Sequence, residues 1–366
     1  MTQQEYIYLI ALTKVPKVGP VMAKNLISYC GSIEAVFAES KKNLKKIPGI
    51  GHTFAESFET ETALLEAEKE WKFIEKSNIQ VLSYLDNAFP QRLLNFDSSP
   101  IVLYYNGNAD LNYHRTVAIV GTRQPSEYGR IMCDRIVEGL LPYNVLLVSG
   151  LAYGIDAAAH RKCVEVNIPT IGILGHGLDR YYPAEHKSLA KKMIENGGVL
   201  TEFPSDTRPD RENFPMRNRI IASLSDVVIV IESKRKGGSI ITAEFANEYN
   251  KDVFALPGPV TEDLSEGCNK LIKQNKAHLI ESAADVAYIT RWEEIDAGKV
   301  VQKQLFVELD EDETRMVAIL REHKEIAIDA ITYKMAMSPS EVASVLLALE
   351  FKGMVKSLPG KKYVLI

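Results

Sequence analysis

Between residues 116 and about 288, short apolar runs alternate with stretches of helical periodicity, and this alternation constrains the fold most strongly. Near-continuous apolar strands joined by helices are typical of a parallel sheet covered on both faces. The predicted strands are residues 117–120, 145–148, 170–174, 198–201, 227–231 and 253–256, and the predicted helices are 128–140, 155–166, 186–196, 217–223 and 240–249. The fold class is therefore α/β, with a mostly parallel Rossmann-like sheet.

The flanking segments have other patterns, and a chain of 366 residues is expected to hold two or three domains. Residues 1–76 indicate short helices, and residues 77–290 the α/β domain, whose sheet is extended by strand-like runs at 80–84 and 101–105. The charged stretch 291–313 indicates a linker. Three helical runs and a hairpin in residues 314–366 predict a winged helix.

The N-terminal helices contain a glycine turn, Ile-Pro-Gly-Ile-Gly at 47–51, that matches the hairpin of a helix-hairpin-helix unit. Such glycines let backbone N–H groups approach a DNA phosphate, and lysines stand just before the turn at 41, 42, 45 and 46. A SAM-like, helix-hairpin-helix domain is therefore predicted. A small helical domain whose glycines only end its helices fits the same pentapeptide equally well. Both interpretations stay open at this point.

The third helix of a winged helix normally reads base edges in the major groove with Arg, Lys, Asn or Gln. The corresponding run, 340–349, contains Glu341 and no basic or amide side chain. A transcription regulator that reads duplex DNA is therefore disfavoured. We expect protein docking or weak backbone binding, with Lys356, Lys361 and Lys362 on the wing as the basic candidates.

Right-handed crossovers place the strand-to-helix turns of the sheet on one rim, where helix N-termini attract anions. Four turns on this rim, at 121–123, 149–156, 214–219 and 234–239, carry glycines, hydroxyls and arginines, and Phe214 stands among polar residues there. Arginine pairs with phosphate as a fork, and an aromatic ring among polar residues can stack on a base. The candidate residues are Gly121, Thr122, Arg123, Ser149, Gly150, Arg211, Phe214, Arg217, Asn218, Arg219, Gly237, Gly238 and Ser239.

A purely structural interpretation of this rim is also possible. Phe214 would then pack under its loop, while Arg217 and Arg219 pair with Asp210 or Glu212. One arginine would favour that interpretation. Four such turns on one rim favour a groove that follows a nucleic-acid backbone.

Other ligand classes lack their motifs. A dinucleotide fingerprint is absent after the first strand, the second strand ends in Ser149-Gly150 without a ribose-binding acid, and no Walker loop occurs. His160, His176 and His186 lack metal-ligand spacing, and no nucleophile elbow is present. We therefore expect a protein that is not an enzyme, with no catalytic residue, metal or cofactor.

One enzyme class remains as the alternative. Gly237-Gly238 followed by Glu244 is similar to the turn of Rossmann-like nucleotide phosphoribohydrolases. Lys236 stands where that motif has proline, and two isoleucines stand where it has glycine and threonine. These changes remove backbone freedom and a hydroxyl that the motif uses.

The total charge of the chain bears on its ligand class. The net charge of −5 disfavours a nucleic-acid ligand only slightly, because phosphate binding depends on a local basic groove and not on the total charge.

The four cysteines are scattered without a Cys-x-x-Cys pair, as in a reducing compartment. The first residues lack signal-peptide character, and no apolar run approaches a membrane span. A cytoplasmic protein without membrane contact is expected.

The motifs occur in the order found in the DNA-processing protein A (DprA/Smf) family, and the whole chain resembles that family. They are Val-Ala-Ile-Val-Gly-Thr-Arg at 117–123, Val-Ser-Gly-Leu-Ala-Tyr-Gly-Ile-Asp-Ala-Ala-Ala-His at 148–160, Tyr-Pro at 182–183, Phe-Pro-Met-Arg-Asn-Arg-Ile-Ile-Ala-Ser-Leu-Ser at 214–225, Gly-Ser-Ile-Ile-Thr-Ala-Glu at 238–244 and Pro-Gly at 257–258. The resemblance implies a single-stranded DNA-binding protein of natural transformation. It would protect incoming DNA and load the RecA recombinase while displacing single-strand-binding protein, as a homodimer formed through the Rossmann domain.

The resemblance also implies roles for particular residues. Gly121, Thr122 and Arg123 would hold phosphate, Phe214 would contact a base, and the basic Arg211 lies three residues before it. The groove would be lined by Arg217, Asn218 and Arg219.

The chain departs from the family pattern at four positions. Thr122 stands where serine is commoner and keeps the hydroxyl, whereas Ser223 and Cys268 replace a common glycine and threonine. Tyr153 stands where the family often has arginine, so a positive charge is exchanged for a ring that can stack.

Overall fold

The computed structural model describes residues 1–50, 58, 60–294, 309–321, 326–335, 337–352, 354–358 and 362–365. The chain divides into two compact units, Met1–Ile295 and Asp296–Ile366. Gly51 at the end of the predicted hairpin, residues 295–308 of the predicted linker, and Lys361 lie outside the described residues. Within the described part of the chain, no helix is long and apolar enough to cross a membrane.

The first unit begins with helices whose ends are marked by capping residues in the sequence. The Thr2 side chain accepts from the Glu5 N–H, the Glu5 carboxylate accepts from the Thr2 N–H, and this capping box begins the first helix. Gly31, at φ 87°, ends the second helix. The helices are α1 (Gln3–Lys14), α2 (Pro20–Cys30), α3 (Ile33–Ala38), α4 (Lys41–Leu44) and α5 (Glu61–Ser77). Their buried side chains share a core with Val102 and Tyr104 of the adjoining sheet.

The sheet has nine strands within the described residues, in the order β1-β2-β6-β5-β4-β3-β7-β8-β9. Its strands are β1 (Gln80–Ser83), β2 (Val102–Gly107), β3 (Thr116–Val120), β4 (Leu146–Ser149), β5 (Thr170–Ile173), β6 (Gly197–Thr201), β7 (Val227–Val230), β8 (Asp252–Ala255) and β9 (His278–Leu279). Pairing is antiparallel for β1 with β2 and β2 with β6, and parallel elsewhere. The predicted α/β class, and the predicted extension of the sheet, are confirmed.

Helices cover both faces of this sheet. They are α6 (Gln91–Leu94), α7 (Glu127–Gly139), α8 (Ile155–Glu165), α9 (Lys187–Glu195), α10 (Asn213–Leu224), α11 (Gly238–Glu248), α12 (Glu266–Lys273) and α13 (Ala283–Thr290), with short 3₁₀ turns at Leu141–Tyr143 and Ala184–His186. Ala118 and Val120 of β3 belong to one core, whereas Val117 and Ile119 belong to the core on the opposite face. The strands are apolar throughout because both of their faces are buried.

The strand order reverses at the neighbouring pair β3 and β7. From β3 the chain continues through β4, β5 and β6 on one side, and later through β7, β8 and β9 on the other. In open α/β sheets the crevice outside the carboxyl ends of the strands at such a reversal binds ligands. A ligand site is therefore expected at the segments that follow β3 and β7.

The second unit is a winged helix. It contains α14 (Glu311–Arg321), β10 (Ile326–Ala327), α15 (Ile328–Met335), α16 (Pro339–Phe351), β11 (Val355–Leu358) and β12 (Lys362–Leu365), with the strands in the order β10-β12-β11. Ser338 begins α16 through a capping box with Glu341. Met316, Leu346 and Val355 lie in its core. The predicted architecture of three helices and a hairpin is confirmed.

Candidate nucleic-acid interface

A cleft of about 410 Å³ lies at the reversal of strand order, and we call it the switch-point cleft. Ten of the thirteen predicted site residues line it: Gly121, Thr122, Arg123, Arg211, Phe214, Arg217, Asn218, Gly237, Gly238 and Ser239. The other three, Ser149, Gly150 and Arg219, are not among its lining residues. The cleft is thus built from the segments after β3 and β7 and the first turns of α10 and α11.

The turn after β3 is fixed by Glu232, which follows β7. The Thr122 N–H donates to the backbone carbonyl of Glu232 at 2.8 Å. The backbone N–H and the hydroxyl of Ser126 donate to the Glu232 carboxylate at 2.9 and 2.5 Å. One buried residue therefore holds both ends of the turn, and Arg123 is exposed between them.

Two glycines allow this turn to lie against the start of α8. A Cβ at Gly121 would lie 2.6 Å from the Ile155 side chain. Gly154 has φ +81°, and a Cβ there would overlap the Thr122 carbonyl oxygen, which accepts the Ile155 N–H at 3.1 Å. Only glycine combines that conformation with that proximity. The position of Arg123 therefore depends on a residue in the next β-to-α connection.

Phe214 lies in the first turn of α10 and forms a small stack at the cleft. The predicted rim turn 214–219 lies within α10, which begins at Asn213 and not at the predicted residue 217, because Pro215 is tolerated in a first turn. The ring is half-buried and stacks on Tyr182, with centroids 6.2 Å apart and planes inclined by 28°. The Arg123 guanidinium carbon lies 5.3 Å from the Phe214 centroid. An aromatic face and an exposed cation are thus held side by side.

Arg217 lines the cleft, but its donors are directed into the protein. Its Nη1 donates to the Gly150 carbonyl and, at 2.5 Å, to the Ile173 carbonyl, at the ends of β4 and β5. Burial lowers the pKa of Arg217 to about 10, while buried Asp156 acts in the opposite direction. The side chain is therefore charged at neutral pH. It supports the cleft from below, where the resemblance implied a direct contact with DNA.

Ser149 and Gly150 belong to the end of β4 that holds the Arg217 side chain beneath the cleft. The Ser149 hydroxyl donates to the Ile119 carbonyl at 2.6 Å and so joins β4 to β3. A Cβ at Gly150 would overlap the guanidinium of Arg217. Both residues lie under the cleft, and their contacts join strand ends.

Arg219 lies elsewhere. Its guanidinium forms an ion pair with Glu202 and donates to the Ser98 carbonyl at 2.7 Å. The partner is neither Asp210 nor Glu212, the acids that sequence analysis considered. Because Arg219 faces β6 and the segment before β2, it is not brought together with the other predicted residues.

The segment between β7 and α11 adds cations that were absent from the predicted set. Lys234 and Lys236 are exposed and line the cleft. The basic run before Gly237 was the signal that could have included them. Gly237 begins α11 without a side-chain capping bond, whereas the Ser239 hydroxyl donates to the Ser233 hydroxyl at 2.8 Å. The backbone of this helix start, with its dipole, is suited to an anion.

The cleft carries a positive electrostatic balance. Arg123, Arg211, Lys234 and Lys236 are exposed at it, and the one acid that lines it, Asp156, is buried. In the described part of the chain, no three His, Cys, Asp or Glu side chains converge as metal ligands would. The arrangement can hold a polyanion and stack on one of its rings.

Three family models match the chain. DNA recombination-mediator protein A matches residues 80–290, a SAM-like helix-hairpin-helix tandem matches 9–57, and a DprA winged helix domain matches 304–361. The second match settles the class of the N-terminal helices, which sequence analysis had left open.

Similar proteins cover most of the chain. Protein Smf of Synechocystis is 34% identical, over 99% of this chain and 99% of its own length. The DNA processing protein DprA of Streptococcus pneumoniae is 41% identical over 56% of this chain and 72% of its length. The solved structure of the S. pneumoniae protein covers 81% of this chain and 100% of that chain, at 32% identity and a TM-score of 0.67.

A second solved structure adds a ligand class for a relative. It is that of DNA processing protein A from Helicobacter pylori, described in terms of its single-stranded DNA binding mode. It covers 59% of this chain and 97% of that chain, at 29% identity and a TM-score of 0.52.

Proposed function

This chain belongs to the DNA recombination-mediator protein A (DprA/Smf) family, and we propose that it binds single-stranded DNA in the switch-point cleft. The observation that carries the proposal is the meeting of four exposed cations with the Phe214 ring at one cleft. Cations follow a phosphate backbone, and an aromatic ring accepts any base. The relative from H. pylori, described by its single-stranded DNA binding mode, supports the same ligand class.

Single strands are favoured over duplex because of Phe214. Its half-buried ring lines the cleft, with Tyr182 and Arg123 as neighbours. In a duplex the faces of the bases are already stacked on each other, so the ring would gain nothing. A single strand can turn a base toward it while its phosphates meet Arg123 and Lys236.

The cellular role follows the family resemblance. The strand would be incoming DNA in natural transformation, which the protein protects and transfers to RecA while single-strand-binding protein is displaced. The description of the family as recombination mediators supports this role. The protein would act as a homodimer, for which β9 offers an exposed strand at the edge of the sheet, with Leu279 49% exposed.

Fluorescence anisotropy with a labelled thymidine oligonucleotide tests the binding proposal. The logarithm of the association constant should fall with the logarithm of salt by about 0.7 per phosphate contact. Unlabelled single strand should compete far better than duplex of the same length. Equal competition by duplex would contradict the proposal and would revive a duplex-reading role for the winged helix.

A recombinase assay tests the loading step. RecA ATPase activity on DNA coated with single-strand-binding protein should start earlier when this protein is present. An unchanged lag, with binding to bare single strands intact, would remove loading from the proposal. Light scattering of the full chain tests the homodimer, and a Leu279→Lys variant should shift the mass toward one chain.

The phosphoribohydrolase alternative depends on Glu244, and we propose that the protein is not an enzyme. Glu244 is exposed on α11 and is not among the residues that line the cleft. Incubation with nucleoside monophosphates should release no free base. Release that disappears in a Glu244→Gln variant would establish the enzyme instead.

A further inference from the structure

A second cavity, of about 950 Å³, adjoins the switch-point cleft on the far side of the turn after β3. Thr122 and Arg123 border both cavities, and the second continues between α7 and α8. We call it the basic recess; its lining includes Arg130, Tyr153, Arg161 and Lys162. None of these four belonged to the predicted site. A ligand that crosses Arg123 would pass from one cavity into the other.

The charges of the basic recess leave two arginines available. Arg130 on α7 and Arg161 on α8 are exposed, and within the described residues neither forms an ion pair. Lys162, in the same wall, pairs with the lining residue Glu165 at 2.8 Å and with Glu138, which does not line the recess, at 2.6 Å.

Asp134 is the remaining acid in the wall of the recess. Partial burial raises its pKa, which lowers its tendency to carry a charge. Counted with Lys162, the three arginines Arg123, Arg130 and Arg161 give four cations against the three carboxylates of Asp134, Glu138 and Glu165. The balance is positive, so the recess favours an anion.

Tyr153 gives the basic recess a fixed aromatic face. Its side chain is 43% exposed, its hydroxyl donates to Glu185 at 2.8 Å, and its ring meets His186 edge-to-face at 5.2 Å between centroids. Contacts at the hydroxyl and at the ring restrict its rotamer. A large exposed ring that is held in place, beside arginines that form no ion pair with another described residue, is the combination used by single-strand binders.

We propose that the basic recess binds a further nucleotide of the same strand, with Tyr153 stacking on its base and Arg130 and Arg161 holding its flanking phosphates. This inference rests on the proposed function, because the strand enters the recess from the switch-point cleft over Arg123. The two aromatic positions, Phe214 and Tyr153, would then serve bases on opposite sides of one arginine.

Salt-dependent anisotropy on full-length variants tests the phosphate contacts. Relative to wild type, an Arg130→Ala, Arg161→Ala double variant should bind a thymidine oligonucleotide roughly tenfold more weakly, and its salt slope should fall by about 1.4, which is two contacts. Arg135→Ala is the matched control, since Arg135 is an exposed arginine on α7 outside the recess. Lys236→Ala removes one expected phosphate contact in the switch-point cleft and should lower the salt slope by about 0.7.

The outcomes separate this inference from the proposed function. Failure of wild type to bind single strands would overturn the proposed function. Normal wild-type binding, weakened by Lys236→Ala but no more by the double variant than by Arg135→Ala, would overturn the basic recess alone. A double variant with unchanged binding but a changed mass in light scattering would show that a second copy covers the recess, and would also overturn the inference.

Base stacking has its own readout. In a Phe214→Leu background, oligonucleotides containing 2-aminopurine should still lose fluorescence on binding, because Tyr153 remains. Adding Tyr153→Phe should preserve this quenching, whereas Tyr153→Leu should abolish it and weaken binding about tenfold. Equal quenching by the phenylalanine and leucine variants would contradict stacking on residue 153.

Discussion

The guanidinium carbon of Arg123 lies 5.3 Å from the centroid of the Phe214 ring, although the two residues come from different strand-to-helix connections of the sheet. Arg123 follows β3, and Phe214 lies in the first turn of α10. The contact orients the cation over the ring, so both are already arranged before a strand arrives. A phosphate held by Arg123 would place a neighbouring base beside Phe214.

The first prediction concerns Arg123. An Arg123→Ala change should weaken binding to single strands by about 1.5–3 kcal/mol, the usual loss for a hydrogen bond to a charged group. Arg123→Lys should recover only part of this, because lysine lacks the planar fork. Anisotropy measures both, with Arg135→Ala as a surface control and thermal melting as a check on folding. Unaltered affinity in Arg123→Ala would mean that the strand does not cross this turn.

The second prediction concerns Phe214. Phe214→Leu should reduce affinity by about 1–3 kcal/mol, because a base loses its stacking partner. The salt slope should stay the same, since no phosphate contact is removed. Tyr29→Leu, at an exposed aromatic of α2, is the control and should bind like wild type. A reduced salt slope in Phe214→Leu would instead indicate that the cation beside it has moved.

The third prediction compares two glycines. Gly154→Ala should destabilise the fold and weaken binding, because its φ is +81° and the new methyl group overlaps the Thr122 carbonyl. Gly238→Ala has open space around its Cβ and should leave the melting temperature unchanged. It should still weaken binding if a phosphate approaches the start of α11 closely. Melting curves and anisotropy on both variants distinguish these effects; equal melting temperatures would refute the role assigned to Gly154.

The fourth prediction concerns Arg217. Arg217→Met should lower the free energy of unfolding by about 3–5 kcal/mol, because Asp156 and two strand-end carbonyls lose a buried cation. Adding Asp156→Asn should restore part of the loss. At temperatures where the variant is folded, its salt slope should equal that of wild type. A slope lower by one contact, with normal stability, would show that Arg217 holds DNA directly.

The fifth prediction concerns pH. Burial lowers the pKa of His160 from 6.5 to about 3, and its Nδ1 lies 2.7 Å from the Thr170 hydroxyl. Between these values the unfolded chain binds a proton that the folded chain does not, so stability falls as pH falls. The loss attributable to this group is on the order of 1.4 kcal/mol per pH unit. Urea unfolding between pH 7 and 5 should show a shallower pH dependence of the unfolding free energy in His160→Gln than in wild type. An equal dependence in the two proteins would contradict this role of His160.

The sheet could be predicted from the sequence because its strands are buried on both faces and are therefore apolar from end to end. The turn of Gly121, Thr122 and Arg123 could also be predicted from the sequence, since it follows such a strand and precedes a helix. The sequence pattern indicated that arginines gather on the rim. It carried no information on the direction in which each guanidinium points.

The directions depend on distant partners. Arg217 turns inward because β4 and β5 bring two carbonyls beneath α10, and Arg219 turns toward Glu202 after β6. Arg130 and Arg161 become neighbours of one recess only when α7 packs beside α8. These arrangements are set by tertiary packing, which local patterns do not encode.

Glu232 gives the turn after β3 a kinetic consequence. Because its carbonyl and carboxylate hold Thr122 and Ser126, Arg123 is presented without prior ordering of a loop. The rate of encounter should then be governed by diffusion and by the field of the exposed cations, and it should slow as salt is added. Changes to the aromatic contacts should leave that rate nearly constant and shorten the residence time of the strand.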